Sequence, residues 1–196
     1  ENLGNGVAYC HHCDGPFFRN KDVAVVGGGN SGIEAALDLA GIVKKVTVLE
    51  FMPDLKADKI LIDKAEAKDN IEIIKNAQVE RVVSEQGKVT GLDYLDRNTT
   101  NQRTVDLDGI FVQIGLVPNS QFLVNVVELT SHGEIVVNEN GETSEKGIYA
   151  CGDVTTVPYK QIIISMGEGA KTALSVADYL MKTEDYDIEL VGAKSA

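Results

Sequence analysis

Val23-Ala24-Val25-Val26-Gly27-Gly28-Gly29-Asn30-Ser31-Gly32 is the stretch that decides the fold. Four consecutive apolar residues, three of them β-branched, predict a short parallel strand buried on both faces. The glycines that end it have the spacing Gly27-x-Gly29-x-x-Gly32, and Ile33, Ala36, Leu37 and Ala40 then recur at helical intervals, with Gly41 placed to stop the helix. The bare pattern is weak, but between a buried strand and a helix it reads as a dinucleotide-binding loop. Its glycines permit a tight turn, a close approach of backbone to pyrophosphate, and packing of helix on strand. The helix N-terminus offers unpaired N–H groups to the phosphates. Gly27, Gly29, Asn30, Ser31 and Gly32 are therefore candidate cofactor-binding residues.

Downstream, residues 46–49 form a second β-branched strand that closes with Glu50, 18 positions after Gly32. A carboxylate there accepts hydrogen bonds from the adenosine ribose and repels a 2′-phosphate. Phe51, Met52 and Pro53 include no Arg to hold such a phosphate, so the local sequence favours NADH over NADPH. A helix over 58–68 and a strand over 71–74 complete one mononucleotide-binding half of a doubly wound sheet. Residues 79–84, 89–95 and 103–107 alternate as an antiparallel meander, and 110–115 returns to a buried strand. Val117-Pro118-Asn119 breaks the chain and sets the boundary between domains 1–116 and 117–196. Beyond it the sequence predicts strands at 134–137 and 147–150, a turn at Asn140-Gly141, and a helix over 163–181 with Ala170, Ala173, Leu174 and Leu180 on its apolar side. A polar tail runs from Thr183. The expected fold class is α/β, a Rossmann-like three-layer domain with an antiparallel β-meander.

Ahead of the loop stands Cys10-His11-His12-Cys13, followed by Asp14-Gly15-Pro16 in a polar, turn-rich segment. With three cysteines in all, a secreted disulfide framework is excluded, and in a cytosolic setting the CxxC points to redox chemistry or to metal. One turn of chain brings the two sulfurs close enough to bond, and Asp14 stands where a carboxylic acid can move protons to and from a departing thiolate. A protonated His between the sulfurs favours thiolate. Zinc requires four converging ligands, whereas adjacent His11 and His12 are expected to point apart and Cys151 and His132 lie far along the chain. Redox chemistry is the better reading, with no metal. A third signal is Gly147-Ile148-Tyr149-Ala150-Cys151-Gly152-Asp153, which sets a carboxylate ahead of a helix where it can meet a sugar-like hydroxyl; close packing of strand and helix explains it equally well.

The net charge of −12 argues against nucleic acid and against an anionic membrane surface as partners. No apolar run reaches the roughly 18 residues that a membrane span needs, and no signal peptide is visible, so a cytoplasmic location is expected.

Taken together, the CxxC-Asp-Gly, the GGGNSG loop and the Ala150-Cys151-Gly152-Asp153 segment resemble the low-molecular-weight thioredoxin reductase family. Tyr9 to Pro16, Leu39-Ala40-Gly41-Ile42-Val43, Leu49-Glu50-Phe51, Gly109 to Gly115 and Thr156 to Ile163 are most similar to its alkyl hydroperoxide reductase flavoprotein (F) branch. The resemblance implies FAD and NADH as cofactors, with electrons passing through flavin to the Cys10–Cys13 disulfide. It also implies Cys13 facing the flavin, Cys10 exchanging with the next disulfide, and Asp14 as proton donor and acceptor. Gly152 and Asp153 then fall on the FAD ribityl contact, Lys160, Gln161 and Ile162 along the flavin ring, and Ile114 and Gly115 around the nicotinamide nucleotide. His11 departs from the Pro usual there. The implied partner is a peroxidase subunit or a thioredoxin-like disulfide domain, and the full-length protein is expected to be a homodimer. Residues 117–196 match the C-terminal half of a discontinuous FAD domain whose first half is not in this sequence, so the chain is expected to be a C-terminal piece that holds FAD poorly and binds NADH weakly. Two other functions stay open: a thioredoxin reductase using NADPH, and a nucleotide-binding or redox-sensing module without turnover.

Overall fold

The computed structural model describes residues 2–183. The chain divides into two compact units, Glu1–Gly115 and Leu116–Ala196. In the first, five parallel strands form one sheet in the order β1-β8-β2-β3-β4: β1 (Val7–Ala8), β8 (Gly109–Val112), β2 (Asp22–Val26), β3 (Lys45–Leu49) and β4 (Ile71–Ile74). Their period-2 alternation divides the side chains between two cores. Val23, Val25, Val46, Val48 and Phe111 pack with Ile33, Ala36 and Leu39 of helix α2 (Asn30–Ala40), on the face also met by Leu61 and Ala65 of α3 (Lys59–Glu66). Ala24, Leu49 and Ile110 pack instead with Val89, Leu92 and Tyr94 from a separate antiparallel sheet. That sheet is the expected meander, β5 (Ala77–Glu85), β6 (Lys88–Asp96) and β7 (Asn101–Asp106). The unit is thus helix, parallel sheet and meander in three layers. Gln86 and Gly87 turn β5 into β6 with φ of 50° and 78°, the left-handed pair that a two-residue hairpin turn requires.

Two short elements carry no sequence periodicity and were not expected. The two residues of β1 extend the sheet beyond β8, so the segment that follows leaves from the carboxyl edge of the sheet. Helix α1 (His11–Asp14) comes next and runs into a 3₁₀ turn over Gly15–Phe18. Phe18 anchors this segment: its ring meets Phe111 edge-on at 5.3 Å and fills the space beside Gly109, where a Cβ would come within 2.2 Å of it. Phe111 is fully buried, and truncating such a ring to Ala costs about 3–5 kcal/mol. The strand expected over 110–115 ends at Val112, because Gly115 adopts φ 99° and turns the chain away.

In the second unit the strands expected at 134–137 and 147–150 are reduced to isolated bridges, Leu129 with Ile135, Ile135 with Thr155, and Glu142 with Tyr149. Neighbouring backbone groups are satisfied in turns instead, as where Gly141 N–H donates to Asn138 O and Asn138 N–H to Glu142 O. Helix α4 spans Ile162–Met181, with Thr172 its buried residue. Ala170, Ala173 and Leu174, expected on a covered apolar side, are exposed. Within this unit α4 packs at Thr172, beside Gly141, and at Tyr179, whose ring lies 6.1 Å from that of Tyr149. Most of the polar tail lies outside the described residues.

Candidate functional site

The glycine loop sits at the carboxyl ends of β2 and β8, where the chain connects in opposite directions across the sheet, the position at which open α/β sheets take up ligands. Each glycine has its own reason. Gly27 adopts φ 118°, and a Cβ there would lie 2.3 Å from Gln113 O. At Gly32 a Cβ would lie 2.0 Å from Gly27 O, so α2 rests directly on the turn. Gly29 faces open space, with nothing within 4 Å of a Cβ. It also precedes the first turn of α2, which no side chain caps. Open space before an uncapped helix start fits a pyrophosphate. Asn30 is engaged structurally: its side chain donates to Asp58 Oδ2 (3.1 Å) and accepts from Asp58 N–H (2.7 Å), fixing the start of α3. Ser31 is exposed at the helix start.

Glu50 is not a solvent-facing residue at a strand end. It is nearly buried, its Oε2 accepting from Gly28 N–H (2.5 Å) and its Oε1 from Met52 N–H (2.8 Å). A charged acceptor on two backbone donors locks the loop to the end of β3. Ile114 is exposed and Gly115 has open space around it; the backbone at Gln113 and Ile114 lies against Gly27. Gln113 Nε2 also donates to Tyr9 O (2.9 Å), joining this edge of the loop to the segment before the redox pair.

Cys10 and Cys13 form a disulfide across a Cα–Cα distance of 5.3 Å. Cys10 caps α1, its Sγ accepting from Cys13 N–H (3.2 Å). Asp14 is half-buried, and a cavity of about 600 Å³ opens beside it, lined by Tyr9, Cys10, Asp14, Phe17 and Phe18 among others. The disulfide therefore has an open, largely apolar approach with a carboxyl group at its wall. His11 and His12 do not point apart: both reach the same carboxylate, Asp38 of α2, at 3.3 Å and 3.6 Å. Burial holds His11 below the ordinary imidazole pKa, with the adjacent His12 adding to the effect and Asp38 opposing it.

In the second unit, Gly152 has φ 80° and is buried, and Thr155 Oγ1 donates to its carbonyl (2.7 Å). Asp153 is exposed, one oxygen accepting from Ser165 Oγ (2.9 Å). Lys160 pairs with Glu134 (2.9 Å) and donates to Thr155 O. Gln161 precedes α4 and Ile162 opens it, strongly exposed. Cys151 is a free thiol.

With the disulfide and the glycine loop placed on one sheet, the family profile described as pyridine nucleotide-disulphide oxidoreductase matches residues 1–174 of this chain. The chain belongs to the pyridine nucleotide-disulphide oxidoreductase family. It is 56% identical over 179 residues to the F subunit of alkyl hydroperoxide reductase from Escherichia coli (strain K12), covering 91% of this chain and 34% of that one. To a Bacillus subtilis (strain 168) protein named NADH dehydrogenase it is 55% identical over 177 residues, covering 90% and 35%. Thioredoxin reductase from Streptococcus pyogenes MGAS5005 superposes with a TM-score of 0.85 at 35% identity, over 91% of this chain and 58% of that one. The chain thus spans about a third of the length of these curated relatives.

For a member of this oxidoreductase family, one group near the nucleotide loop had no sequence signal. Arg97, just beyond β6, stacks over the Phe51 ring at 4.0 Å and donates to Phe51 O (2.8 Å), so a guanidinium is held on the residue that follows Glu50. Only the folding of the meander onto the sheet brings together positions 46 residues apart. An Arg here bears on nucleotide choice because it is the group that accommodates a 2′-phosphate.

Proposed function

We propose that this chain is the redox-pair and nucleotide portion of an NADH- and FAD-dependent disulfide reductase, carrying electrons to the Cys10–Cys13 disulfide and on to a peroxidase system. The observation that carries this reading is the Cys10–Cys13 disulfide on a helix launched from the same sheet edge as the Gly27–Gly32 loop. Gly29 and the open start of α2 would hold the nucleotide pyrophosphate, with Glu50 toward the ribose and Ile114 and Gly115 along the nicotinamide end. Gly152, Asp153, Lys160, Gln161 and Ile162 would hold the flavin. Flavin, when bound, supplies the conversion of a nicotinamide hydride into the two electrons that reduce a disulfide.

The rest belongs to the chain itself. Two electrons break the S–S bond and leave two sulfurs that take up protons, and Asp14 is the carboxyl group beside them. Cys13 is exposed and Cys10 borders the cavity, so each sulfur has its own side of approach, Cys13 for the flavin and Cys10 for the partner disulfide. The exposed rings of Tyr9 and Phe17 flank that cavity and suit a protein partner docking over Cys10. A cytoplasmic homodimer working on such a partner completes the reading. Among the described residues no helix is long and apolar enough to cross a membrane.

A Cys10→Ser, Cys13→Ser variant of the full-length reductase tests the reading. It should retain NADH oxidation by the flavin toward small acceptors and lose reduction of the partner disulfide. Undiminished disulfide reduction would remove the pair from the mechanism. One observation favours a second reading, a thioredoxin reductase using NADPH: Arg97 stands over Phe51, the residue that follows Glu50. Initial rates with the two nucleotides separate them, NADH being preferred if the buried Glu50 carboxylate dominates.

A further inference from the structure

We propose that His11, His12 and Asp38 form a binding site for a divalent transition-metal ion of the zinc class, beside the redox pair and distinct from it. Asp38 Oδ2 lies 3.3 Å from His11 Nε2 and 3.6 Å from His12 Nδ1. The three ligand atoms all lie within 4.8 Å of one another. With metal–ligand bonds of about 2.0–2.1 Å, two donors of a tetrahedral ion stand ~3.3–3.4 Å apart, so both separations from Asp38 are already close to ligating distance.

A simple ion pair accounts less well for the arrangement. His11 Nε2 is buried and no group meets it at hydrogen-bonding geometry, even though Asp38 is near. A buried polar atom without a partner calls for one, and an ion is among the partners that satisfy it. His12 is also drawn to the same oxygen, with its ring centroid 3.9 Å from that of His11. Two imidazoles crowded on one carboxylate repel if both are charged, whereas both ligate well if a single cation replaces their protons. Glu34, one turn earlier on α2, adds negative charge acting on His11. Two imidazoles and one carboxylate select a borderline ion such as Zn²⁺ over Mg²⁺ or Ca²⁺, which demand oxygen ligands. The fourth position is left to water.

Cys10 caps α1 and Cys13 lies in it, so an ion held here fastens the helix that carries the disulfide to α2. The test uses the full 196-residue chain in its disulfide form, where Cys10 and Cys13 offer no thiolate. Zn²⁺ is titrated against a chromophoric chelator, and Co²⁺ is added separately to read four-coordination from its visible absorption. One ion per chain is expected, unaffected by Mg²⁺. His11→Ala, His12→Ala and Asp38→Asn should each weaken binding at least tenfold, and Cys151→Ser should bind as the unaltered chain does. Asp38 is exposed on α2, so Asp38→Asn keeps the fold and decides the matter if a His variant does not. Absence of stoichiometric binding, or equal affinity in Asp38→Asn, would overturn the proposal. None of these readouts needs nucleotide, flavin or turnover.

Discussion

Replacing Gly29 and Gly32 separately by Ala should split ligand binding from folding. At Gly32 the added Cβ would sit 2.0 Å from Gly27 O and 2.8 Å from Gly27 C. Both neighbours are backbone, so no rotamer change relieves the contact; restoring ordinary separation means lifting α2 off the turn by about 1.4 Å, the gap between 2.0 Å and 3.4 Å. Overpacking of this kind costs about 1–3 kcal/mol, and the upper end applies where only backbone can yield. About 3 kcal/mol in a unit of this size lowers Tm by on the order of 10 °C. Gly29 has φ −82° and ψ −176°, which Ala adopts without strain, and its Cβ would touch nothing within 4 Å. Stability should therefore hold or rise by about 0.4–1 kcal/mol, through the loss of chain entropy in the unfolded state. The methyl group does occupy the space left for pyrophosphate, so NADH should bind at least about tenfold more weakly, ~1.4 kcal/mol. Thermal unfolding followed by circular dichroism gives the first quantity, and chemical-shift titration of the chain with NADH the second. Unchanged NADH affinity in Gly29→Ala, or an unaltered Tm in Gly32→Ala, would refute the roles assigned to the two glycines.

Glu50→Ala should destabilise the first unit by about 1–3 kcal/mol in chemical denaturation, since the nearly buried Gly28 N–H loses its charged acceptor. In the full-length reductase, Asp14→Asn should slow disulfide reduction about 10²-fold in stopped-flow traces while leaving NADH affinity unchanged. The meander should be acid-sensitive. Hydrogen bonds from Thr104 and Arg81 hold the Asp93 carboxyl below the usual range, and those from Asn98 and Thr99 do the same for Asp96. A depressed folded-state pKa contributes stability that is present above the unfolded value, ~3.9, and is lost as pH falls through the folded value. Unfolding curves between pH 5 and pH 2, roughly the window for such groups, should show that loss, and Asp93→Asn should flatten it.

Those parts of the fold whose cause is local were legible in the sequence. Val23 to Val26 and Val46 to Leu49 announce buried strands because their neighbours on both faces are apolar, Ile71 to Ile74 announces a strand at the sheet's edge, and Gln86-Gly87 announces its hairpin through backbone conformation alone. The Gly27, Gly29 and Gly32 spacing located the loop for the same reason. What the sequence hid depends on distant partners. The strand β1 is two residues long and exists only by pairing with β8, about a hundred positions on. The convergence of His11 and His12 on Asp38 follows from Phe18 pinning the redox segment against Phe111. Adjacency in sequence had suggested the opposite. Arg97 reaches Phe51 only once the meander covers the sheet, so the absence of Arg after Glu50 described the sequence and not the surroundings of the carboxylate. In the second unit, the run from Glu134 to Val137 predicted a strand, but of these residues Ile135 alone finds bridge partners.

The central claim is that Cys10 and Cys13 are the redox centre fed by the nucleotide loop. Anaerobic titration of the full-length reductase with NADH, counting thiols by alkylation and mass spectrometry, tests it most directly. Two new thiols should appear, on Cys10 and Cys13, as the enzyme becomes reduced, and both should return to the disulfide when an oxidised partner is added. If the partner is reduced at the normal rate while Cys10–Cys13 stays bonded throughout, electrons take another route and the claim fails.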